Sequence, residues 1–119
     1  MRSSLLILVT ALAPLSAQAP APAKDVKALR AFFAAECARC HGADGSAIGP
    51  DGKPLKGVAF TNPVSLAGRS DEKLAKVILK GIFFGKAMPA FKDKLTEAEA
   101  QTMVREVLRK ATKGQPIQP

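Results

Sequence analysis

Both cysteines and the single histidine of this 119-residue chain fall within five positions, Cys37-Ala38-Arg39-Cys40-His41. On a helix, residues three and four apart share a face, so two thiols and an imidazole would point the same way. Such a set can add its thiols to the vinyl groups at one edge of a porphyrin and bind the iron from one axial side. C-x-x-C-H is the attachment pattern of a c-type haem. Other chemistries suit these residues less well. A structural zinc site wants four Cys or His ligands, and the chain has three in all. A thioredoxin-like pair wants a βαβ setting, and no strand alternation surrounds this segment. A strained disulfide or a chance match is what remains.

A six-coordinate iron needs a second axial ligand, and no second histidine exists. Of three methionines, Met1 would leave with a leader, and Met103 lies on the apolar stripe of a helix, where methionine usually packs a core. Met88 remains, in Gly85-Lys86-Ala87-Met88-Pro89-Ala90-Phe91. Pro89 fixes its own φ and holds Met88 extended, which suits a thioether aimed from a stiff loop. His/Met ligation is a standard arrangement for such haems.

The start of the chain reads as an address. Arg2 precedes an apolar run from Leu5 to Leu15, too short to span a bilayer as a helix. Small-residue patterns then end at Ala19, Ala21 and Ala23, as at a secretory cleavage site. Pro20 and Pro22 would follow the first two cuts, where proline is poorly accepted, so cleavage after Ala23 is expected. Residues 1–23 would then be a signal peptide and 24–119 one small domain, exported to the periplasm without stable membrane insertion. Both cysteines are used by the motif, so the oxidising compartment needs no structural disulfide.

The elements that must position these groups follow the helical period. Asp25 is a candidate N-cap, with Val26, Leu29, Phe33 and Cys37 at helical spacing behind it. Residues 42–68 are rich in Gly and Pro and have no period, a length unusual for a compact domain unless the loop packs on a prosthetic group. Ser70 then caps a helix whose apolar face is Leu74, Val77, Ile78 and Ile82, loosened at Gly81. Thr96-Glu97-Ala98-Glu99 is a capping box. Ala100, Met103, Val104, Val107, Leu108 and Ala111 follow as one stripe. Gly114 and Pro116 would end that helix. The expected fold is all-α, with three principal helices and a long loop wrapped around one covalently bound haem c.

Taken together, these segments resemble the monohaem class I c-type cytochromes over about residues 28–110. The resemblance rests on the Cys37-Cys40-His41 motif, the Met88-Pro89-Ala90-Phe91 segment, Phe33 one turn before the first cysteine, and Gly49-Pro50 after the motif. Phe60-Thr61-Asn62-Pro63 and residues 66–72 are similar to the middle of small bacterial members. The resemblance implies that the Pro50 carbonyl accepts the proton on the other nitrogen of His41, fixing its tautomer. Leu29, where members carry a small residue, and Glu106-Val107-Leu108, where they carry an aromatic, depart from the pattern.

The function expected is one-electron transfer rather than catalysis, because both axial positions would be filled. The alternative is the cytochrome subunit of a periplasmic dehydrogenase or sulfur-compound oxidising complex. Eighteen Lys and Arg against ten Asp and Glu make the chain basic, +8. The charges are spread out, with no interleaved aromatics, which argues against nucleic acid. Lys76, Lys80, Lys86, Lys92 and Lys94 flank the Met88 segment and would bring an acidic redox partner into register.

Overall fold

The computed structural model describes residues 9–15 and 22–119. Residues 1–8 and 16–21, most of the expected leader, lie outside the described residues. Residues 9–15 form no helix.

The first helix starts where the sequence expects it. The Asp25 carboxylate accepts a hydrogen bond from the Ala28 N–H at 2.8 Å, satisfying one of the free amides of the first turn. The helix runs as α-helix over Val26–Phe32, widens to a π-helical segment over Phe33–Cys37, and closes as α-helix over Ala38–His41. A π segment bonds i to i+5 and so turns everything after it relative to a regular helix. Leu29, before the π segment, and Phe33, its first residue, are fully buried, and Val26 is exposed at the helix start. Gly42, at φ 82°, ends the helix.

The middle helix, Asp71–Lys80, is capped by the Ser70 hydroxyl, which accepts from the Lys73 N–H at 3.2 Å. It buries Leu74, Ala75 and Ile78, and ends at Gly81, φ 71°. Between the first and middle helices lies the long loop, with a short helix at Pro63–Leu66 that the periodicity does not reveal. Its signal is Asn62-Pro63. The Asn62 side chain accepts from the Val64 N–H at 3.1 Å, and proline suits the first helical position.

The last helix begins with the capping box. The Thr96 hydroxyl accepts from the Glu99 N–H at 3.1 Å, and the Glu99 carboxylate accepts from the Thr96 N–H at 2.9 Å, the reciprocal pairing that satisfies two free amides. It is α-helical over Glu97–Met103 and π-helical over Val104–Leu108, so it stops before Ala111, the expected end of its stripe. The tail turns back instead. Ile117 is buried at 4% exposure, its N–H donates to the Ala43 carbonyl at 2.8 Å, and the Gly114 N–H donates to Asp44 at 2.8 Å. Burial of one isoleucine and two satisfied amides favour the turn over another helical turn.

The last helix packs against both others and buries Ala100, Met103, Val104, Val107 and Leu108. The Arg109 guanidinium ties it to the middle helix, donating to Asp71 at 2.7 Å and to the Arg69 carbonyl at 2.7 Å. The fold is all-α with three main helices and, among the described residues, no sheet, as the sequence predicts.

Candidate functional site

The end of the first helix, the segment after Gly81 and the inner face of the last helix enclose an apolar cleft. Cys37, His41 and Met88 all line it, and Phe32, Phe60, Ile78 and Met103 supply apolar wall. Cys40, on the same helical turn, is half-buried. Cys37 and Cys40 are not joined to each other by a disulfide. The Cys37 thiol is pushed up to about 12, chiefly by burial and next by the Glu36 carboxylate, with Arg39 opposing.

His41 is buried, and its Nδ1 lies 2.9 Å from the Val58 carbonyl. A carbonyl oxygen can only accept. Nδ1 therefore carries the proton, and Nε2 keeps its lone pair. Phe60 stacks on the imidazole at 4.4 Å between centroids and 23° between planes, which fixes the ring's orientation. Burial pushes the imidazole below its ordinary pKa and the Val58 carbonyl pulls the other way. The neutral ring, the ligating form, is the one this site favours.

The partner of Nδ1 corrects the expectation for Pro50. That residue is exposed and opens a tight local turn, in which the Gly52 N–H donates to the Gly49 carbonyl at 2.9 Å and the Gly49 N–H to the Lys53 carbonyl at 2.8 Å. Its turn closes on itself rather than on the histidine. The work falls to Val58 because Gly57 allows a close approach. The Gly57 N–H donates to the Cys40 carbonyl at 2.7 Å. A Cβ on Gly57 would stand 2.5 Å from that carbonyl oxygen and 2.6 Å from His41 Nδ1. Gly57, directly before the acceptor, is the mark of this contact in the sequence, and Gly49-Pro50 has the same glycine-first pattern.

Met88 is held by backbone pairing with Ile82, whose N–H donates to the Met88 carbonyl at 3.0 Å. Met103 also reaches the cleft, but from the packed core, at 1% exposure. Elimination by sequence separated the two methionines by role; both thioethers border the same space. A thiol, an imidazole with a free lone pair and thioethers on otherwise apolar walls suit a flat apolar group that carries a metal at its centre. No cluster of three or more His, Cys, Asp or Glu that could hold a separate metal ion occurs among the described residues.

An all-α domain wound about such a cleft, with its C-x-x-C-H at the end of the first helix, has the cytochrome c fold. Residues 24–105 match the sequence family described as cytochrome C oxidase, cbb3-type, subunit III, and the chain belongs to this family of c-type cytochrome domains. Among solved structures it is similar to the KustC0563 c-type cytochrome, at 28% identity and a TM-score of 0.52, covering 69% of this chain and 94% of that one. A point mutant of Kustc0563 is similar at 29% identity and a TM-score of 0.50, with 68% and 94% covered. No curated protein matches. Family membership implies covalent haem c and haem-based electron transfer, and the Cys37/Cys40 pair is consistent with that cofactor.

Proposed function

We propose that this chain is an exported one-electron carrier. Cys37 and Cys40 would hold its haem through thioethers, and His41 and Met88 would bind the iron axially. The haem supplies a ferrous/ferric couple when bound. The observation that carries the proposal is the fixed tautomer of His41: Nδ1–H donates to the Val58 carbonyl, which leaves the Nε2 lone pair available beside a cleft that Cys37 and Met88 share. The Val58 carbonyl also keeps the imidazole electron-rich, and the soft Met88 thioether would favour the reduced iron. With His41 and Met88 both holding the iron, no ligand position would be left for a substrate, and the domain would pass electrons.

Export through a leader at 1–23 fits this role, since c-type haem is attached outside the bacterial cytoplasm. No helix among the described residues is long and apolar enough to cross a membrane. The partner would be a redox protein with an acidic docking face. Lys80, Lys86 and Lys92 are exposed and, among the described residues, make no ion pair, whereas Lys76 pairs with Glu72 at 3.4 Å and Lys94 with Glu36 at 3.1 Å. A second reading, a subunit of a periplasmic oxidoreductase complex, is favoured by the family's own description as an oxidase subunit. Size exclusion of the native exported protein separates the two. A carrier runs as a small monomer whose absorption spectrum switches with one-electron reductants. Co-elution with a larger enzyme supports the subunit reading, and a chain without a reducible haem spectrum sinks both.

A further inference from the structure

Phe83 and Phe84 stand out on this surface. Their exposures are 75% and 104%, and both lie at positive φ, 50° and 54°. Gly81 and Gly85 flank them at 71° and 83°. A left-handed backbone is unfavourable for any residue with a Cβ, and two consecutive phenylalanines in it, both in water, gain nothing from the fold in return. The turn is nevertheless closed. Ile82 pairs with Met88 through its N–H and carbonyl, and the Lys86 N–H donates to the Phe83 carbonyl at 3.0 Å. The rings therefore sit on the segment that carries Met88. Around them, residues 73–92 contain five lysines (Lys73, Lys76, Lys80, Lys86, Lys92) and no Asp or Glu. We propose that Phe83 and Phe84 are the apolar centre of the docking surface, received by a redox protein whose contact face is apolar with an acidic rim. Two rings on one turn give a compact anchor of the kind that fills a pocket, with the lysines setting orientation and encounter rate. This rests on the electron-carrier reading above.

The test is stopped-flow reduction of the ferric holoprotein by reduced flavodoxin, an acidic protein with an apolar patch at its flavin edge, and in parallel by dithionite. In Phe83→Ala/Phe84→Ala the ratio of the flavodoxin rate to the dithionite rate should fall about five-fold or more, the loss expected for one interface hot spot. An unchanged ratio overturns the docking proposal while leaving the carrier reading intact. Failure of both reductants to reduce the wild type overturns the carrier reading itself. Sedimentation of the wild type, but not of the double variant, with phosphatidylglycerol vesicles would assign the rings to a membrane surface and also overturn the proposal.

A separate observation concerns Lys24. Its main-chain N–H donates to Glu99 at 2.7 Å, and its side-chain ammonium lies 3.5 Å from the same oxygen. Glu99 is 6% exposed, while Pro22 and Ala23, just before Lys24 in the chain, are exposed and irregular. We infer that cleavage between Ala23 and Lys24 places the new chain terminus on Glu99. Water splits the amide bond. Its hydroxyl goes to the Ala23 carbonyl carbon and its hydrogen to the Lys24 nitrogen, which takes up a further proton as an ammonium. A neutral donor then becomes a charged one against a largely buried carboxylate, a stronger hydrogen bond. It pins the start of the first helix to the last helix.

Intact mass of the exported holoprotein should correspond to residues 24–119 plus one haem. A chain starting at Pro20 or Pro22, or one retaining the leader, overturns the inference. Glu99→Gln should weaken the folding equilibrium about five-fold more in the chain starting at Lys24 than in a chain with one retained Ala ahead of it. Equal losses in the two backgrounds also overturn it.

Discussion

Replacing Gly57 by Ala probes the contact that sets the histidine. Gly57 needs no positive φ, so the substitution acts through space rather than through backbone strain. The new Cβ would lie 2.5 Å from the Cys40 carbonyl oxygen, 2.6 Å from His41 Nδ1 and 2.8 Å from His41 Cε1. Ordinary contact begins near 3.4 Å. The Gly57 backbone must therefore retreat by about 0.9 Å, which is overpacking. Neither neighbour can yield cheaply: one is helix backbone, the other an imidazole packed flat against Phe60. Retreat stretches the 2.7 Å bond from Gly57 to Cys40 and the 2.9 Å bond between Val58 and His41. Overpacking costs about 1–3 kcal/mol and each weakened hydrogen bond about 1 kcal/mol, so a loss of about 3 kcal/mol or more is expected. For a domain this size that lowers the Tm by about 12 °C or more. The weaker Val58 contact also makes His41 a poorer donor, so the reduction potential should rise. Thermal melts and redox titration of the holoprotein measure both. Gly52→Ala and Gly68→Ala are the controls. These glycines sit at positive φ, 76° and 72°, with nothing within 4 Å of the added carbon. Each control should cost about 1–2 kcal/mol, the strain of a left-handed residue with a Cβ, and leave the potential unchanged. Gly57→Ala that melts with these controls and keeps the wild-type potential would refute the role given to Gly57 and Val58.

The axial assignment is tested by Met88→Ala, which should abolish the long-wavelength sulfur-to-iron band, lower the potential and admit imidazole to the iron. Met103→Leu should leave all three nearly unchanged and cost under about 1.5 kcal/mol, because its volume is conserved. Phe33 has no exposure, and its truncation to Ala should cost about 3–5 kcal/mol in denaturant unfolding. Glu99 is held down to about 2 from its ordinary 4.5, first by the Thr96 N–H and further by the Lys24 N–H. A carboxylate with a lowered folded pKa stabilises above its unfolded value and loses that stabilisation as pH falls through the folded one. Urea unfolding should therefore show a stability loss between pH 4.5 and 2 that is much reduced in Glu99→Gln.

What could be read from the sequence was local. Asp25, Ser70 and Thr96 cap their helices within three residues, so side-chain chemistry and spacing suffice to place all three starts. The five residues of the attachment motif are likewise a local pattern. What escaped depends on contacts far along the chain. The π-helical segments at Phe33–Cys37 and Val104–Leu108 leave no mark on apolar periodicity until the helices pack. Ala111 continues a stripe that the structure abandons, because Ile117 finds its place against the loop after His41. Pro50 and Val58 both follow a glycine, and only the fold decides which carbonyl meets His41. The positive φ and the exposure of Phe83 and Phe84 belong to the folded turn and have no counterpart in residue spacing.

The central claim is a haem joined to this chain by Cys37 and Cys40, and acid-acetone extraction of the exported, purified protein tests it most directly. Thioether bonds survive the treatment, so the colour should stay with the protein, at one haem per chain, and Cys37→Ala/Cys40→Ala should yield a colourless, poorly folded product. Haem that passes into the acetone from the wild-type protein would contradict the account.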